Sequence, residues 1–141
     1  MKNLYEKIID HLNAYVDSIP NISAKSQVSV DHSKSFLADN YTCRLGDIPL
    51  ELGRDEMIGM LAEESDQKWT THVDPFYWIV DEHNYTAAGY FKEELKDSKT
   101  GELLRSVNMF THMELSITDD SIKISKEHIV EAPAKFRVDS L

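Results

Sequence analysis

Two side chains of this 141-residue chain stand where proton chemistry could be done: His72, in TTHVDP, and Tyr15, in LNAYV. An imidazole titrates near neutral pH, so His72 can serve as base or acid, and a solvated strand-end histidine is the competing reading. Tyr15 can donate a hydrogen bond to a ligand carbonyl, or be a core ring with its hydroxyl at the rim. Glu93 shares strand parity with Tyr85, Ala87, Gly89, Phe91 and Leu95. If that parity faces inward, its carboxylate is costly unless paired and its pKa rises. The charged run KEELK favours the competing reading, a strand that has already left the core by Glu93. His128 shares parity with Ile122 and Ile124, as a satisfied core histidine or a pocket residue.

Other chemistries lack their residues. His11, His32, His83, His112 and the acids form no His-x-x-x-His or paired-cysteine phrase, so neither metal nor organic cofactor is expected. No glycine-rich phosphate loop or nucleophile elbow is present, and AAGYF reads as small mid-strand residues that make room for a helix or ligand. Cys43 is the only cysteine, which rules out an internal disulfide and points to a reducing compartment. With 15 Lys and Arg against 25 Asp and Glu, the formal charge is −10, which disfavours nucleic acid and anionic membranes as partners. The segment MKNLYEKIID lacks the apolar core of a signal peptide, and no run approaches the ~18 apolar residues of a membrane span. A cytoplasmic protein is expected.

The elements that must position these groups fall in two halves. Leu4, Ile8, Leu12, Tyr15, Val16 and Ile19 give the period of an amphipathic helix ended by Pro20. Residues 20–31 read as a connection, with Asp31 capping a short helix that runs out near Asn40. A strand over 41–45, a loop, and a helix over 53–65 with Met57, Ile58, Leu61 and Ala62 on one side follow. Beyond it the period is two: strands over 69–80, 85–95, 103–117 and 122–130, with Pro75 implying a bulge or an edge. In the 103–117 strand Val107, Met109, Thr111, Met113, Leu115 and Ile117 share one face; Asn108, Phe110 and His112 share the other. That strand should be central to a bent antiparallel sheet. About three helices packed on a long, curved antiparallel sheet specify a single α+β domain over 1–141, with 133–141 a loose tail.

This order of elements resembles the nuclear transport factor 2-like superfamily, in particular its SnoaL-like polyketide cyclase and dehydratase branch. SFLADNYTCRL is similar to that superfamily's second helix and first strand, LGRDEMIGML to its third helix. TTHVDPFYWIVDEHNYTAAGYF resembles its entry to the sheet, and HMELSITDDSIKISKEHI its last hairpin. The resemblance implies a cone-shaped fold over a deep pocket. Tyr15 falls where the helix-one Tyr of ketosteroid isomerase belongs, while Leu45 and Met113 stand at that enzyme's two acids. His72 lies where the first catalytic His of scytalone dehydratase would be.

The expected function is binding of a small, mostly apolar or aromatic molecule in a hydrophobic cone pocket, with cofactor-independent isomerase, cyclase or dehydratase chemistry as its enzymatic form. His72 would move the proton and Tyr15 would stabilise the developing charge. Tyr15, Met57, Leu61, Phe91, Met109, Met113 and His128 would line the pocket. A non-catalytic binding or interaction module of the same fold is the alternative. Phe110 and Tyr90, on the outward parity, mark a homodimer contact through the outer sheet face, which the resemblance implies too.

Overall fold

Asn3 opens the first helix, α1 (Leu4–Ser18), its Oδ1 accepting from the Glu6 N–H at 2.8 Å. Ile8, Leu12, Tyr15 and Val16, at helical spacing, are buried. Pro20 ends this helix in a 3-10 turn, Ile19–Asn21. The supposed connection then contains α2 (Gln27–Lys34), capped by Ser26 and not by Asp31. Its sequence hides it, because Val28 is exposed while Ser33 is fully buried, so polarity does not report the packed side. These details belong to the computed structural model, which describes residues 1–119 and 121–133, the Phe76 side chain excepted. The expected loose tail lies, from residue 134 on, outside the described residues.

The strand β1 (Leu37–Leu45) starts earlier than expected and pairs with a short β2 (Glu51–Gly53) that leads straight into α3 (Arg54–Gln67). The period-two half supplies β3 (Trp69–Asp81), β4 (Thr86–Asp97), β5 (Leu103–Thr118) and β6 (Ser121–Glu131). All six strands form one curved sheet in the order β2-β1-β6-β5-β4-β3, antiparallel except where β1 runs parallel to β6. β5 is therefore central, as its length and alternation require. α1 lies on β3, α3 on β3 and β1, and α2 beside α3. No helix among the described residues is long and apolar enough to cross a membrane.

Four register shifts interrupt the ladders, one between β1 and β6 and three that each add a single residue, and each added residue bends its strand. Phe76 is extra between Pro75 and Tyr77 in β3, which is also an edge, so Pro75 occupies both places its chemistry allows. Leu104 is extra opposite Leu95 and Lys96, and Ser125 is extra opposite Glu114 and Leu115. The shifts in β3 and β6 do more than bend the sheet. A single added residue exchanges the faces of everything beyond it, because side chains alternate with a period of two.

Candidate functional site

Helices and sheet enclose a cavity of about 50 Å³. α1 contributes Tyr15 and Val16, the 3-10 turn contributes Ile19, and α3 contributes Met57 and Leu61. From the sheet come Thr71, Val73 and Trp78 of β3, Phe91 and Glu93 of β4, Thr111 and Met113 of β5, and Glu127 and Ile129 of β6. Trp78 is held on both sides of the wall. Its Nε1–H donates to Asn13 Oδ1 at 2.7 Å, and its ring lies over Gly89, where a Cβ would stand 2.3 Å from Cζ3. The small residue in AAGYF thus makes room for an indole.

Glu127 is the polar centre of this wall. It is 6% exposed, and both carboxyl oxygens accept from hydroxyls: Tyr41 donates to Oε1 at 2.7 Å and Thr111 Oγ1 to Oε2 at 3.1 Å. Burial raises its pKa above the ordinary carboxyl value, and the two hydrogen bonds pull it back. No Lys or Arg lines the cavity among the described residues. The same burial, followed by the charge of Glu127, pushes the Tyr15 and Tyr41 hydroxyls far above the ordinary phenol range and the Cys43 thiol up to about 12. Tyr15 and Tyr41 are consequently neutral donors at any physiological pH, and Cys43 is an inert thiol. At the rim, burial raises the Glu93 pKa, Arg105 opposes the rise, and Glu64 and Glu131 add to it.

The structure brings Tyr15, Met57, Leu61, Phe91 and Met113 together around the cavity. Met109, on the same face of β5, is half-buried and outside the lining. His72 does not reach it. Thr71 and Val73 face the cavity, so His72 between them points to the opposite, convex face, opposite Glu94, where partial burial and then Lys96 lower its pKa. Its expected catalytic placement is corrected on that ground. His128 is corrected for a different reason. Ser125 reverses the parity of β6, so Glu127 and Ile129 turn inward while His128 faces out, its Nε2 2.9 Å from the Gly46 carbonyl oxygen. The signal was present in the sequence: Ile124 and Ile129 both belong to the core side but are an odd number of residues apart, which demands an extra residue between them.

No protein-family model matches the chain, and no curated protein does. Solved structures do match. A nuclear transport factor 2-like protein of Cytophaga hutchinsonii is 15% identical, with a TM-score of 0.68, over 93% of this chain and 100% of its own. ActVI-ORFA of Streptomyces coelicolor is 11% identical at a TM-score of 0.69, covering 92% of this chain and 98% of its own. The BvnE pinacolase of Penicillium brevicompactum is 10% identical at 0.71, covering 93% and 86%. At such identities the likeness establishes the fold alone.

Proposed function

We propose that this chain, which has the cone-shaped α+β fold of nuclear transport factor 2-like proteins, binds a small, mostly apolar molecule in the cone cavity and recognises its polar end through Glu127. One observation carries this reading: a carboxyl group with 6% exposure, without a cation among the described residues, stands in a wall otherwise made of apolar and aromatic groups. Burying such a group costs several kcal/mol in general terms, and a perturbed carboxyl in a concave site is a candidate functional group. Glu127 accepts a hydrogen bond or a proton from the bound molecule, and Tyr15, kept neutral, donates to a neighbouring oxygen on which charge develops. This is the chemistry of proton-transfer enzymes, and the pinacolase of the same fold is consistent with it.

The volume favours a second reading. About 50 Å³ holds one or two waters and is far below the roughly 300–1,000 Å³ of ordinary ligand sites, so a ligand enters only if Met57, Met113 and Leu61 rotate. A non-catalytic interaction module with a filled cone has no need of that rotation. Crystals soaked with a fragment library of cyclic ketones and alcohols separate the two. The binding reading expects a fragment between Met57, Met113 and Glu127, with solvent-deuterium exchange into a bound ketone slowed at least ~100-fold by Glu127→Gln. A cavity that stays empty across the library, with no exchange, leaves the interaction module. We infer as well that two copies pair through the convex face, where the half-buried rings of Tyr77 and Phe110 flank the buried Tyr90 across β3, β4 and β5.

A further inference from the structure

We propose that the ligand of this cavity is a small organic cation, an alkylammonium of a few carbon atoms seated between the Glu127 carboxylate and the aromatic walls. The inference rests on the cavity being a ligand site and names the ligand's charge. Three independent features point the same way.

The first is the geometry at Glu127. Tyr41 and Thr111 hydroxyls lie at hydrogen-bond distance from the two carboxyl oxygens, and as donors they favour the ionised form. Burial opposes the charge that these donors favour. A ligand cation removes the conflict, since no protein cation lines the cavity among the described residues. The second feature is the wall. Tyr15, Trp78 and Phe91 present three aromatic rings to a space that also holds Met57 and Met113, and aromatic faces attract desolvated organic cations. A hard metal ion needs several oxygen ligands, which these rings do not supply, and no group of three or more metal-binding side chains occurs among the described residues. The third is the approach. Glu93 stands at the rim, where Glu64 and Glu131 add negative charge and the nearby cation, Arg105, is already engaged by Glu131 at 3.2 Å. A negative mouth on a chain of formal charge −10 draws cations in and repels anions.

Size selects the probes. Isopropylammonium, isopropanol and isobutyrate have closely similar hydrocarbon parts and differ in charge. Each is titrated into protein carrying labelled Met methyl groups, with the Met57 and Met113 resonances as the reporters on the cavity. The expected result is saturable shifts with isopropylammonium, at least about tenfold tighter binding than isopropanol, and none with isobutyrate. Glu127→Gln should abolish the preference for the ammonium while the spectrum stays that of a folded protein, and Glu93→Gln should weaken it by a smaller factor. The contrast among the three probes on the unaltered protein stands even where a variant does not fold. Isopropanol binding as tightly as the ammonium would overturn the cation while leaving the cavity as a ligand site. Silence of both Met reporters toward all three probes would overturn the cation and the ligand site together.

Discussion

At the scale of single residues, Glu127 sets the chemistry and is also a measurable part of the fold's pH dependence. Its carboxyl pKa is raised in the folded state above the ordinary 4.5. Between about that value and the raised one, the native chain keeps a proton that the unfolded chain has lost. Its contribution to stability is therefore full below the unfolded pKa and falls as pH rises through that window. Asp55, Asp81 and Asp97 are lowered by their hydrogen bonds and ion pairs, so they act in the opposite sense and below 3.8. Urea unfolding of the wild type and Glu127→Gln at a series of pH values cancels those exposed groups. Wild-type stability minus that of the variant should fall with rising pH above about 4.5, and a flat difference would remove the raised pKa. His72 was the expected proton-transfer residue and His128 an expected pocket residue. Both face the convex side, and the carboxylate beside His128 occupies the place expected of it.

At the scale of elements, the cavity depends on how β3 and β4 meet. Trp78 pairs with Gly89, and the indole lies where any side chain on residue 89 would be. An added Cβ would stand 2.3 Å and 2.6 Å from two indole carbons and 3.2 Å from Thr111 Cγ2. Gly89→Ala should therefore push Trp78 off Asn13 and cost roughly 1–3 kcal/mol, read as a lowered urea midpoint with a changed tryptophan emission. An unchanged midpoint would mean that the strands part without strain. Element types were legible wherever periodicity was long: α1, α3 and β3 to β6 all lie where the pattern puts them. α2 and β2 were not, since an eight-residue helix that buries a serine and a three-residue strand carry no period to read.

At the scale of the whole molecule, α1 and α3 line the cavity side of the sheet, and the aromatic row on its other face bears on assembly, with Tyr90 buried there between the half-buried Tyr77 and Phe110. Tyr90 packs on Tyr77 and on Phe110, with ring centroids 6.1 Å and 5.0 Å apart. Light scattering at micromolar concentration should give the mass of a dimer, and Phe110→Glu should shift it to the mass of a monomer with secondary structure intact. A wild-type monomer at that concentration would end the proposed pairing.

By itself the sequence determined the class of fold, the two halves of the chain and the inward face of β5, because an alternation that runs unbroken from Val107 to Ile117 can bury only one parity. Only the tertiary structure decided which residues face the cavity from β3 and β6. There Phe76 and Ser125 each add one residue to a ladder, and the choice of face beyond them is set by the pairing partner and not by the strand's own pattern. The surroundings of Glu127 were out of reach for the same kind of reason: Tyr41, whose hydroxyl fixes one carboxyl oxygen, lies 86 residues away along the chain. A hydrogen bond across that separation leaves no periodicity in either segment, since it exists only once β1 has come to lie parallel to β6.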